Sequence, residues 1–485
     1  MLSEASTLFI HHVGQVTNPI RRNANVHSRI FAGSKRTVLA EVDDALIDRL
    51  ELLTSNNPDY WTFPKGAAPR DAHAFFRYPA MMVPSMQREL IRVVTDLQPN
   101  IESVLEPFVG SGTVMVESIL AGRSVRAQDI NPLAILLCKA KAGPFRPAAL
   151  ADYADDINQL IKMDRGRKID IEFDNRRKWF TARASMGLSK IRRAILTIED
   201  RSARRFFWVA LAETVRNTSN SRTSTYKLHI RPREEIERLP DPISVYQSIV
   251  QVNLNRFANY TEQLQKAGIL VRSRCNVKID IRLIDSRKAI KGSYDLLVTS
   301  PPYGDNRTTV PYGQSAYLPL QWIPLEDIEE NVDTDNLKSI YEIDKRSLGG
   351  VLPPAHENLL KSYEELLDRS SALRATLCQL VNEPRDRSSR ILSFIHDLDC
   401  TAKSCFSALR RNAYSIVTLG NRRVGGIEVP LHEILPQLMA TYGAHHVYTF
   451  ERRIPSKRMA VRNQFADTMR GERVIILRKQ HEGNI

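Results

Sequence analysis

Tyr294-Asp295-Leu296-Leu297-Val298-Thr299 runs directly into Ser300-Pro301-Pro302-Tyr303. The first six residues form a short apolar run that reads as a buried strand. Two consecutive prolines stop such a strand and stiffen the chain as it leaves the sheet. The corner then stands at the carboxyl end of a strand, where open α/β folds bind their ligands. It can present carbonyl oxygens and an aromatic face together, which is what a planar amino group on a heterocycle requires. Taken alone, the four residues also suit an ordinary strand stop, since Pro-Pro is a common breaker.

Upstream, Val104-Leu105-Glu106-Pro107-Phe108-Val109-Gly110-Ser111-Gly112-Thr113 is a second apolar strand entering a small turn, and Val114 to Ala121 continues with helical spacing. Gly110 and Gly112 let the backbone turn sharply and approach a ligand closely. The full three-glycine dinucleotide spacing is missing and no Lys-Ser/Thr pair follows, so a phosphate-cradling loop is not expected. Ser124-Val125-Arg126-Ala127-Gln128 is the next strand and ends in Asp129. A carboxylate there can accept hydrogen bonds from both hydroxyls of a ribose. Asp129 would equally suit a cap for a helix starting near Pro132, and both roles can hold together.

These two motifs together resemble the S-adenosylmethionine-dependent DNA amino-methyltransferases. Glu106 to Thr113 is similar to that family's cofactor loop and Ser300-Pro301-Pro302-Tyr303 to its catalytic signature. Phe75-Phe76-Arg77-Tyr78-Pro79-Ala80-Met81-Met82-Val83-Pro84 is similar to the segment that closes over the methionine end of the cofactor. Ile281-Arg282-Leu283-Ile284-Asp285 is similar to the strand whose acid contacts the adenine, and Tyr414 to Asn421 to a later core strand. The resemblance implies S-adenosylmethionine held by Tyr78, Pro79, Glu106, Pro107, Phe108, Gly110, Gly112, Thr113, Asp129, Ile130 and Asp285. It implies catalysis by Ser300, Pro301, Pro302 and Tyr303, with no metal.

Ser at the first catalytic position is typical of enzymes that methylate the N4 amine of cytosine, whereas Asp or Asn is usual for the N6 amine of adenine. Gly304 after the tyrosine also occurs in RNA guanine-N2 methyltransferases. Cytosine-N4 is therefore the first expectation, adenine-N6 the second and an RNA amine the third. A rival of another class is a silent DNA-binding subunit on the same scaffold, against which the intact glycines, Asp129 and the whole Ser-Pro-Pro-Tyr run argue. The ring-carbon methyltransferases use a cysteine nucleophile in a Pro-Cys pair, which is absent.

The 485 residues carry 69 Lys+Arg against 55 Asp+Glu, a formal net charge of +14. That balance attracts polyanions without conferring sequence specificity, and agrees with double-stranded DNA as partner. Cys138, Cys275, Cys378, Cys400 and Cys405 show no zinc-like spacing and read as reduced thiols of a cytoplasmic protein. No stretch has the apolar length of a membrane helix. The N-terminus lacks the basic start of a signal peptide.

The expected architecture is α/β, a Rossmann-like methyltransferase fold with a mostly parallel sheet and a C-terminal antiparallel hairpin, interrupted by a largely helical insert. Residues 1–72 form an arm and cap; Arg21, Arg22, Arg29, Lys35 and Arg36 could reach along DNA. Residues 73–145 carry the cofactor loop, 276–325 the catalytic corner and 391–485 the last part of the core. The segment 326–390 is helical and charged. The insert, 146–275, is the candidate target-recognition region. From Arg176 to Arg233 it is dense in Arg and Lys, against only Glu199, Asp200 and Glu213. Its Trp179, Phe180, Phe206, Phe207 and Trp208 suit an apolar core. Its polar loop Asn217 to Thr225, with Arg216, Arg222 and Lys227, suits phosphates or base edges. Asn306, Arg307 and Gln314, just past the corner, could reach the target base or its orphaned partner, or belong to a flexible lid. The basic turn Arg452 to Met459 could touch phosphate or be a plain hairpin loop. A cognate restriction endonuclease is a further expected partner; the oligomeric state is open.

Overall fold

The computed structural model describes residues 38–63, 69–352, 357–380, 385–454 and 471–480. The basic arm from Arg21 to Arg36 and residues 455–459 of the basic turn lie outside these.

Seven strands make the central sheet: β1 (Ser103–Glu106), β2 (Ser124–Asp129), β3 (Ile279–Leu283), β4 (Tyr294–Thr299), β5 (Leu409–Leu419), β6 (Ala444–Arg453) and β7 (Gly471–Lys479). Their order is β6-β7-β5-β4-β1-β2-β3. β3, β2, β1, β4 and β5 are parallel neighbours, while β7 runs antiparallel to both β5 and β6. The expected fold, a mostly parallel sheet closed by an antiparallel hairpin, is what the chain forms.

β1, β4, β5 and β7 are apolar on both faces because both are covered, and the two-residue period of a strand sorts their side chains. Leu296, Val298, Ile416 and Val474 pack with Leu46, Leu50, Leu90 and Ile91, which come from helices α1 (Val38–Asn56) and α2 (Pro84–Leu97). Their neighbours Leu297, Val417 and Ile475 join a cluster with Leu373, Ile395, Phe406 and Leu435 from the helices between 371 and 440. Asp295 is the one charged residue in the β4 run, and it is used. Its Oδ2 accepts from the backbone of Glu102 and Ser103, and Arg410 pairs with its Oδ1 at 2.6 Å, fixing the start of β1 against β4.

α3 (Thr113–Leu120) and α4 (Pro132–Lys141) follow β1 and β2. Residues 146–275 are largely helical, with α5 (Ala182–Leu196), α6 (Arg201–Thr218) and α7 (Pro242–Lys266) the longest of their central and final parts. They do not stand apart. Phe206, Phe207, Trp208, Phe257 and Tyr260 share one buried cluster with Phe75, Leu133, Leu137 and Phe145. The interleaved aromatics are core, as their size favours. No helix among the described residues is long and apolar enough to cross a membrane.

Candidate functional site

A cavity of about 1020 Å³ opens at the carboxyl ends of β1, β2 and β4. Small-molecule sites commonly span roughly 300–1,000 Å³, so there is room for more than one planar group. Its walls include Pro107, Phe108 and Gly110 of the first loop, Asp129 and Ile130 after β2, Asp285 after β3, and all four of Ser300 to Tyr303. The two motifs, 190 or so residues apart in sequence, therefore face one space.

The glycine loop is shaped from beneath. Gly110 and Gly112 have φ of +48° and +81°, which only glycine takes without strain. The Gly110 N–H donates to Asp129 Oδ2 at 3.0 Å and that of Asn131 to Oδ1 at 2.9 Å. The cap of α4 is not Asp129 but Asn131, whose side chain accepts from Leu133 N. Asp129 is left half-buried on the cavity wall, and burial pushes its carboxyl up to about 6 against the pull of three backbone amides. Asn131 also donates to the Tyr78 hydroxyl at 3.1 Å, and Tyr78 stacks on Tyr312 with ring centroids 5.8 Å apart. A Cβ on Gly110 would sit 3.3 Å from the Tyr78 ring, so the loop is as close to its cover as a glycine permits. The Tyr78 ring, the Gly110 backbone and the Asp129 carboxylate thus line one stretch of the cavity, offering an aromatic edge, bare backbone and a hydrogen-bond acceptor together.

Four residues assigned to the cofactor lie off this wall: Pro79, Glu106, Gly112 and Thr113. Gly112 turns the chain into α3 against Cys138, and Thr113 is its first residue. Glu106 is fully buried and braces the site from behind. Its Oε1 accepts from Phe108 N at 2.9 Å and from the Thr299 hydroxyl at 2.6 Å, tying the glycine loop to the strand before the corner. Burial lifts its carboxyl to about 8. Asp285 does reach the cavity, but Arg287 holds it through Nε and Nη2 and pairs also with Asp397.

The corner is held by residues from far along the chain. The Tyr303 hydroxyl donates to Glu472 Oε1 at 2.9 Å and lies 3.3 Å from Ser300 Oγ. Glu472 is in turn paired with Arg452 at 2.7 Å. Burial and the Glu472 carboxylate raise the Tyr303 phenol well above its ordinary range. Asp305, wholly buried, accepts from Arg422 at 3.0 Å and from the Thr308 hydroxyl at 2.6 Å. The Arg422 guanidinium lies across Gly304, where a Cβ would collide with it. Asn306 is buried on the cavity wall beside Asp344, while Arg307 points outward and does not line the cavity.

Of the insert residues, Arg216 spends its guanidinium on Glu213 within α6, through both Nε and Nη2. Arg222 and Lys227 are exposed on a hairpin closed by Ser221 against Ile230. That hairpin abuts the corner's continuation: Leu228 N donates to Gln314 Oε1 at 3.3 Å, two residues after Tyr312. Tyr312, Arg422 and Glu472 went unread in the sequence, and Asn131, next to Pro132, was legible only as suited to the helix start.

No family model matches the chain. Its sequence is 30% identical over 440 residues to the type II methyltransferase M.MvaI of Kocuria varians, in an alignment that covers 88% of this chain and 93% of that protein.

Proposed function

The chain belongs to the type II methyltransferase family, and from that footing we propose that it methylates the exocyclic N4 amine of cytosine in double-stranded DNA, using S-adenosylmethionine. The observation that carries the reading is the single cavity lined by the Gly110 loop and Asp129 on one side and by Ser300 to Tyr303 on the other.

The cofactor supplies a methyl group already activated on sulfur. The residues that would hold it are Asp129 for the ribose hydroxyls, the Gly110 backbone, Tyr78 over the loop, and Asp285 at the adenine end. What remains for the protein is placement and electrostatics. An aromatic amine is a poor nucleophile because its lone pair is delocalised into the ring. Hydrogen bonds from the amine to Ser300 Oγ and to the Pro301 carbonyl favour a pyramidal nitrogen and free that pair. The two prolines keep these acceptors from following the substrate, so the interaction is strongest where charge develops. Tyr303 stacks on the base after it leaves the duplex, which an enzyme acting on a base edge requires. Its ring is already fixed by the bond to Glu472. The exposed Arg222 and Lys227 lie on a hairpin that abuts Gln314, near the cavity wall at Tyr312, and would meet phosphates there. The setting that fits is restriction–modification in the cytoplasm, with a cognate endonuclease as partner.

The test is incubation with tritiated S-adenosylmethionine and plasmid DNA, then identification of the labelled nucleoside by mass. N4-methylcytosine is the expected product. Label in N6-methyladenine moves the target to adenine, label only with RNA removes DNA as substrate, and no label with bound cofactor leaves the silent subunit.

A further inference from the structure

We infer that Glu472 sets the direction of the hydrogen bonds at the corner, so that Ser300 meets the target amine as an acceptor. The inference rests on the methyltransferase reading above. A serine hydroxyl holds one proton and two lone pairs and is by itself indifferent between giving and taking a hydrogen bond. An amine offers N–H groups and needs acceptors. A hydroxyl that aimed its proton at the nitrogen would occupy the lone pair that has to attack.

The chain of contacts removes this ambiguity. A carboxylate only accepts, so Tyr303, 2.9 Å from Glu472 Oε1, gives its single proton there. Tyr303 can then only accept from Ser300 Oγ at 3.3 Å, so the serine proton is directed to the Tyr303 oxygen and not to a bound amine. The lone pairs of Ser300 are left facing the space that it lines. Glu472 is kept in place by Arg452, whose side chain is 7% exposed and whose Nε–H donates to the other carboxylate oxygen at 2.7 Å. Arg452 is next to last in β6 and Glu472 second in β7, and the two are paired across the strands, so the hairpin that closes the sheet also orients the serine. A carboxylate two hydroxyls away does for Ser300 what an acid at that position would do directly. Glu472 is thus a positioning residue, acting through Tyr303.

The test is a double-mutant cycle on plasmid DNA with single-turnover methylation, cofactor binding by calorimetry and thermal melting. In Glu472→Gln, Arg452 keeps the amide oxygen and the amide NH₂ turns to Tyr303, which reverses the chain and aims the serine proton into the cavity. The methylation rate is expected to fall about 100-fold, of the order seen when one catalytic hydrogen bond is removed, with cofactor affinity unchanged. Tyr303→Phe keeps the ring but cuts the chain, frees Ser300 to rotate, and costs about tenfold. The double variant Tyr303→Phe/Glu472→Gln is expected to match Tyr303→Phe, and so to be faster than Glu472→Gln alone. A purely structural Glu472 would give losses that multiply. Multiplying losses, or a Glu472→Gln rate equal to wild type, overturns the inference. Any stability cost of the glutamine is common to the single and double variants, so the comparison survives it. A wild-type protein that labels no DNA strikes the methyltransferase reading instead, which keeps the two failures apart.

Discussion

The two walls of the cavity are built from the same kinds of residue but assembled over different distances in the chain. On the glycine-loop wall, Gly110 is fixed by Asp129 and Asn131 by Tyr78, contacts that span 19 and 53 residues. At the double-proline corner, Asp305 is fixed by Arg422, Tyr303 by Glu472 and Thr299 by Glu106, spanning 117, 169 and 193 residues. A loop whose geometry is local can be read from its glycines and its nearest acid. A corner whose geometry is borrowed from distant parts of the chain can be recognised by its letters, but its supports cannot.

That contrast predicts where damage spreads. The largest effect is expected from Arg422→Ala, which leaves Asp305 as a buried, unpaired charge; breaking such a pair costs about 3–5 kcal/mol. Melting temperature falls and methylation drops about 1,000-fold, while cofactor binding changes little because the Gly110 loop is supported by Asp129 and Glu106 and not by Arg422. Gly304→Ala should behave alike, since its Cβ would displace the same guanidinium. Cofactor affinity falling in step with turnover would show that the walls are not independent.

Asp129→Ala is the mirror experiment. Hydrogen bonds to a charged group are worth about 1.5–3 kcal/mol, so cofactor affinity should weaken about 10- to 100-fold. The pH dependence has a definite sign. Burial pushes the Asp129 carboxyl up to about 6, and the carboxylate is the better acceptor for the ribose hydroxyls in the proposed role. Affinity therefore falls as pH drops through 6, up to about tenfold per unit. In Asp129→Asn this slope disappears. A wild-type affinity flat from pH 7 to 5 would take Asp129 out of the ribose site.

The parallel strands and the closing hairpin were legible, because the runs of β1, β2 and β4 are short, bounded and followed by turn residues, but the order of the strands was not. Periodicity alone marks helices over Asp152 to Lys162 and Ile243 to Ala267; the first proves longer, at Pro147–Met163, and the second is displaced by one residue, at Pro242–Lys266. Basic density was a poorer guide. Arg216 and Arg222 look alike in sequence, yet one is consumed by Glu213 a turn away and the other is exposed. Glu106 was readable as part of a loop, but not that it turns inward. Nothing local says that its partner is Thr299.

Glu106 joins the two walls, and its expected effect is smaller. Its carboxyl titrates near 4.5 in an unfolded chain and at about 8 when buried. The folded state therefore keeps a proton that the unfolded state releases. Its contribution to stability is full below pH 4.5 and is lost progressively as pH rises to about 8. Glu106→Gln removes that part of the pH dependence, measurable as the denaturant midpoint between pH 5 and 8. An unchanged slope would mean that the carboxyl is ionised in place.

The smallest effect separates placement from composition. Each lysine or arginine that neutralises a DNA phosphate releases counterions and contributes about 0.9 to the slope of log affinity against log salt. Arg222→Ala and Lys227→Ala should each flatten that slope by about one unit and weaken binding similarly for any sequence, because phosphate contacts carry no base information. Arg216→Ala should leave the slope alone, since its charge already answers Glu213. The three residues lie within twelve positions in a span from Arg216 to Arg233 that contains no acid, so counting charge predicts equal effects from all of them. Equal slopes would mean that the Glu213 pair opens on DNA and that the hairpin beside Gln314 has no special part in the interface.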